Sequence, residues 1–81
     1  MVKYYFIEEN DKHIIYHYYP EDDKTKEYGI IDVDKEDEIV RVTKTTERDS
    51  KSHKYGDHAA SNIVERLNNE ESPGNGMVMW Y

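Results

Sequence analysis

Lys12-His13-Ile14-Ile15-Tyr16-His17-Tyr18-Tyr19, stopped by Pro20, is the stretch on which the fold turns. β-Branched and aromatic side chains fit a pleated, half-buried surface, so residues 12–19 are expected as a β-strand. Residues 2–8, Val-Lys-Tyr-Tyr-Phe-Ile-Glu, have the same character, and Asn10-Asp11 between the two runs is a turn signal. The pair therefore reads as a hairpin. Beyond Pro20 the pattern repeats: a polar loop over 21–26, a strand over 27–33, a tight turn at Asp34 to Asp37, and a strand over 38–44 with Val40 and Val42 on one face. Four strands in series with short links predict an antiparallel meander.

The period then changes. Over residues 52–69 a helical wheel places Gly56, Ala59, Ala60, Ile63, Val64 and Leu67 on one side, with Tyr55 at the margin. His58, Ser61, Asn62 and Glu65 fall on the other side. Ser50 or Ser52 is the expected cap at the start, and Asn68-Asn69 the expected end. Ser72-Pro73-Gly74-Asn75-Gly76 breaks the chain, and Met77-Val78-Met79-Trp80-Tyr81 is too apolar to dangle in water, so a short final strand is expected. The fold class is α+β. The chain forms a single two-layer domain over 1–81, an antiparallel four-stranded meander with one helix packed on one face and a short C-terminal strand (ββββαβ). The expected strand order is 5-1-2-3-4.

Eighty-one residues allow one hydrophobic core. There is no cysteine, so no disulfide supports it. No apolar run approaches the ~20 residues that span a bilayer, and the N-terminus lacks the apolar segment of a secretory signal. A cytoplasmic protein is the expectation. The net charge of −7 is carried entirely by residues 1–38, which hold 12 acidic and 5 basic side chains, while residues 39–81 hold 6 of each. Such a balance argues against direct nucleic-acid binding, which needs a basic surface, and against anionic membranes. A partner selected by this field would be a basic protein. In a meander the turns at Asn10-Asp11 and at Asp34 to Asp37 emerge at one end, where they collect acidic residues. Lys44, Arg48, Lys51 and Lys54 belong to the opposite end.

The residue types that carry chemistry are present without the arrangements it needs. Asp32, Asp34 and Glu36 open like a calcium loop, but Asp37 stands where glycine is required and Thr43 where a bidentate glutamate is required. His13 and His17 lie four apart on a strand, about 13 Å, too far for one ion, and His53 and His58 diverge on a helix. No nucleophile motif or phosphate loop occurs. No enzyme activity, cofactor or metal is expected.

The tyrosines carry the functional expectation. Alternation sends Tyr4 and Tyr5 to opposite sheet faces, and likewise Tyr18 and Tyr19, yet one helix covers one face. Tyrosine adds contact area at low entropy cost. The expected function is a non-catalytic protein-interaction domain that uses Tyr4, Tyr5, Tyr16, Tyr18 and Tyr19 with the acidic Glu8, Glu9, Asp34, Glu36, Asp37 and Glu38. Its partner would be a second copy, giving a homodimer, or a basic protein. A variant of this reading is a DNA-mimicking inhibitor of a nucleic-acid-binding protein, and the other alternative is a structural homodimer without further activity.

Tyr18-Tyr19-Pro20-Glu21, His58-Ala59 and the ending Gly76-Met77-Val78-Met79-Trp80-Tyr81 together make the chain similar to short acidic proteins of unassigned function from Gram-positive bacteria and their mobile elements. The resemblance implies a cytoplasmic bacterial or phage setting and transfers no activity or site.

Overall fold

A computed structural model describes residues 1–51 and 54–80, without the side chains of Ser50 and Lys51. Among these residues five strands, β1 (Val2–Glu9), β2 (His13–Pro20), β3 (Gly29–Asp34), β4 (Ile39–Lys44) and β5 (Gly76–Val78), form one antiparallel sheet in the order β4-β3-β2-β1-β5. A 3-10 turn (Glu47–Lys51) leads into α1 (Tyr55–Asn68), which packs across one face. The expected ββββαβ meander, and the strand order with the last strand beside the first, are what the chain adopts.

Strict alternation sorts the side chains. Val2 and Tyr4 of β1, Ile14, Tyr16 and Tyr18 of β2, and Ile31 and Val33 of β3 point under the helix and are buried, where they meet Tyr55, Ala59 and Ile63 of α1. Val40 and Val42 of β4 join this core at its edge. One bulge interrupts the alternation. The pairing steps from Phe6↔Tyr16 to Glu8↔Ile15, which leaves Ile7 as the extra residue and exposes it.

Two of the buried rings lie flat over cross-strand glycines. Tyr18 faces Gly29 of β3, and Tyr4 faces Gly76 of β5. A Cβ at either glycine would stand inside the van der Waals envelope of the opposing ring. These glycines weaken a strand by themselves, but here each gives a tyrosine the space in which to lie down. Tyr4 then reaches Asn62 of α1, to whose Oδ1 its hydroxyl donates at 2.6 Å.

The helix begins later than the periodicity predicts, and without a cap of its own. Lys54, the residue before its first turn, is left-handed (φ 51°) and makes no side-chain cap. The expected cap Ser52, the side chain of Ser50, and His53 lie outside the described residues. Asp49 does the capping from a distance in the chain. Its Oδ1 accepts the Gly56 amide at 2.8 Å, while its Oδ2 accepts the Thr46 amide at 2.9 Å, the Thr46 hydroxyl at 2.7 Å and the Tyr18 hydroxyl at 2.9 Å. Burial alone would raise the Asp49 carboxyl, but these four donors outweigh it and hold the group below the usual aspartate range. Burial, and then the bond to Asp49, push the Tyr18 hydroxyl well above its ordinary value, so it stays a donor.

The far end of α1 closes as expected at Asn69. Glu70 adopts φ 60°, and its amide and that of Glu71 donate back to the carbonyls of Leu67 and Arg66 at 3.0 Å each. This is a Schellman closure with glutamate where glycine is usual. Two residues assigned by the wheel to the solvent side have structural partners instead. Asn62 receives Tyr4, and His58 stacks on Trp80 with centroids 3.9 Å apart and 15° between planes. The final strand is shorter than expected. Among the described residues only Gly76–Val78 pair with β1, after which Trp80 packs on Tyr55 and His58, while Met77 and Met79 stay exposed.

Two substitutions test this core. Gly29→Ala should cost about 2 kcal/mol or more through overpacking against Tyr18, measured by chemical denaturation; an unchanged midpoint would refute the close approach. Asp49→Asn should cost about 2–3 kcal/mol at neutral pH, the scale of hydrogen bonds to a charged acceptor. The Asp49 carboxyl is depressed in the folded state, so its contribution is complete above the unfolded value of about 3.9 and is lost as pH falls through the lower folded value. The stability gap between wild type and Asp49→Asn should therefore hold at neutral pH and narrow below about pH 4.

Candidate functional site

The sheet face turned away from α1 has no covering element among the described residues. Register arranges it in rows across the strands. Tyr5, His17, Ile30 and Lys44 form one row, Glu8, Ile15, Asp32 and Arg41 the next, and Met77, Lys3 and Tyr19 flank the first row on its other side. Tyr28, just before β3, folds back so that its ring stacks on His17, with centroids 3.9 Å apart and 13° between planes. Tyr19 stands 5.7 Å edge-on to Tyr5 and 6.0 Å from Tyr28. The result is one continuous aromatic cluster of Tyr5, Tyr19, Tyr28 and His17, all half-buried.

Cations and one carboxylate hold these rings in place. Lys24 lies over Tyr5 at 4.3 Å from its centroid, and Lys3 over the same ring at 5.6 Å. Lys44 lies over Tyr28 at 4.4 Å. Such contacts draw on the negative ring face. The Tyr5 hydroxyl donates to Asp22 Oδ1 at 2.7 Å, so the loop after β2 is tied to the open face. His17 is pushed below the ordinary histidine range by burial first and by Lys44 second.

The expected site residues divide between the faces. Tyr5 and Tyr19 are on the open face. Tyr4, Tyr16 and Tyr18 are not available to a partner, being only 1%, 2% and 0% exposed. Alternation drives all three under α1, where burial pushes the Tyr16 hydroxyl up to about 12. Tyr28 and His17 complete the cluster and were missing from the expected set. The parity that puts Tyr28 beside Ile30 was readable, but the return of its ring onto His17 depends on the path of the preceding loop.

The acidic turns do come together. The Lys35 amide donates to the Lys12 carbonyl at 2.9 Å, and the Lys35 ammonium reaches Glu9 Oε2 at 2.7 Å and the Asn10 carbonyl at 3.1 Å. Glu8, Glu9, Glu36, Asp37 and Glu38 are exposed at this end. Asp34 is engaged in the turn itself, where its Oδ1 accepts the Glu36 and Asp37 amides at 3.0 Å. Those amides hold its carboxyl below the usual range. Nearby, between α1 and the sheet, an open groove of about 360 Å³ is lined by Ile14, Val33, Val40, Val64 and Leu67 with Asp34, Lys35, Glu38 and Asn68.

No family model, curated protein or solved structure matches the chain. Asp32, the first residue of the calcium-like run, is bound to His13 Nδ1 at 2.7 Å. Among the described residues no three His, Asp or Glu side chains are grouped to hold a metal ion, and no helix is long and apolar enough to cross a membrane.

The stacked His17 gives a direct probe of this face. Its titration by NMR should fall below the free-histidine value of about 6.5. In Lys44→Ala the midpoint should move upward while remaining depressed, because burial is the larger cause. An unshifted midpoint in wild type would contradict the burial of this ring beside Lys44.

Proposed function

We propose that this chain is a non-catalytic protein-interaction domain that meets its partner with the open sheet face, flanked by the acidic turn end. The observation that supports this most is the cluster of Tyr5, Tyr19, Tyr28 and His17, which lies on a face that no described element covers. Rings already held by their neighbours lose little further freedom on binding. They also present the amphipathic area enriched in recognition surfaces. The partner is a protein, either a second copy or a basic protein able to meet the acidic flank. Lys35 and its ion pair with Glu9 sit between the two acidic turns, which favours the aromatic face over an uninterrupted array of carboxylates as the principal contact.

A photo-reactive benzophenone amino acid in place of Tyr19 tests this in cells, with the same group in place of the exposed Glu65 on α1 as control. The expected result is one dominant adduct from position 19, to another protein or to the same chain, and none from position 65. Equal adducts from both positions, or none from position 19, would refute the open face as a contact surface.

A further inference from the structure

We propose that Asn75-Gly76 is a site of spontaneous backbone modification, held in check by the fold, whose conversion to isoaspartate releases β5 from the sheet. The inference is independent of the contact-face reading above.

Asparagine is among the chemically labile residues, and a glycine after it leaves the reacting amide unshielded by any side chain. Asn10, Asn62, Asn68 and Asn69 are followed by Asp, Ile, Asn and Glu, so Asn75 alone has this neighbour. In the reaction the Gly76 nitrogen, having given its proton to base, attacks Cγ of Asn75 and closes a cyclic imide. The carboxamide nitrogen leaves as ammonia. Water, which reaches the exposed Asn75, then opens the ring at either carbonyl. The products are aspartate and isoaspartate, and in the second the main chain runs through the side-chain carbon.

The fold uses both residues of this labile pair. The Tyr4 ring lies against Gly76, where a Cβ would overlap its hydroxyl. Asn75 Oδ1 accepts the Phe6 amide at 2.8 Å, which carries the β1–β5 pairing one step beyond Gly76. Amide directions alternate along a strand, so the Tyr4 amide faces β5 as the Phe6 amide does, and the paired Tyr4 and Gly76 exchange both ladder bonds. The Gly76 amide proton is thus engaged by the Tyr4 carbonyl. The Asn75 carboxamide is turned across to β1 instead of back on its own chain. From α1, Arg66 Nη1 donates to the Asn75 carbonyl at 3.0 Å and fixes the peptide between the two residues. Cyclisation requires these contacts to open, and so proceeds from the frayed state of a short strand.

Isoaspartate adds a methylene to the main chain immediately before Gly76. The acceptor of the Phe6 amide and the acceptor of Arg66 are displaced together. Gly76–Val78 alone are then left to hold β5 on the sheet. Their release takes Trp80 from Tyr55 and His58, and it leaves β1 as an unpaired edge.

Trp80 is the sole tryptophan, so its fluorescence reports the docking directly. The purified chain is incubated at mildly alkaline pH with and without urea, and peptide mapping by mass spectrometry follows conversion at each asparagine. Conversion in the folded chain should be confined to Asn75. It should run about tenfold or more faster in urea, the worth of the hydrogen bonds that must open first. Arg66→Ala should raise the folded-state rate severalfold and leave the rate in urea unchanged. Trp80 emission should move to longer wavelength in step with isoaspartate. Asn75→Gln, whose longer side chain closes the imide far more slowly, should hold both readings constant over the same time. Equal rates with and without urea, an Arg66→Ala rate no higher than wild type, or earlier conversion at another asparagine would each overturn the protected site. Isoaspartate that accumulates while Trp80 emission stays unchanged would overturn the release of β5.

Discussion

The carboxylate of Asp49 sits where three parts of the chain have to meet. Through Tyr18 it holds the central strand β2, through Thr46 the segment leaving β4, and through Gly56 the first turn of α1. The opening amides of a helix have no partners within it, and the residue preceding this helix is left-handed with no cap of its own. A group from the 3-10 turn supplies the missing acceptor and, in the same contact, satisfies the hydroxyl of a fully buried tyrosine. Among the described residues no buried side-chain nitrogen or oxygen is left without a partner. In a domain of this size, with no disulfide, such shared acceptors let polar rings enter the core without an unpaired group.

Tyrosine does two different jobs in this protein, and parity along the strand decides which. Tyr4, Tyr16 and Tyr18 act as large core side chains, two of them laid over a facing glycine and anchored to α1 or its leading turn by the hydroxyl. Tyr5, Tyr19 and Tyr28 form the other set, braced by lysines, by Asp22 and by His17. The first set fixes the helix on the sheet. The second is a preformed surface whose order costs little more on binding. This division makes the open face the proposed contact surface.

Much of the architecture was legible in the residues. The β-branched and aromatic runs separated by Asn10-Asp11 and by Asp34 to Asp37 mark four strands, and the change to helical spacing at Ala59, Ala60 and Ile63 marks α1. Those signals are local, so they survive without knowledge of the fold. The bulge at Ile7, the left-handed Lys54 and the left-handed Glu70 were not legible. In each, the residue type itself has no preference for the conformation it adopts. His58 and Asn62 show the same limit, since a wheel assigns polar residues to solvent unless the partners that await them, Trp80 and Tyr4, are in view.

By itself the sequence determined the order of elements, the meander, the presence of tyrosines on both sheet faces and the gathering of acidic turns at one end, because these follow from period and turn chemistry. Only the tertiary structure decided which tyrosines are buried, since strand parity leaves both faces equivalent until a helix lies on one of them. It also decided that Tyr28 and His17 complete the open cluster and that Asp49 caps the helix. Both depend on side chains from separate elements arriving at one point in space, which no local pattern encodes.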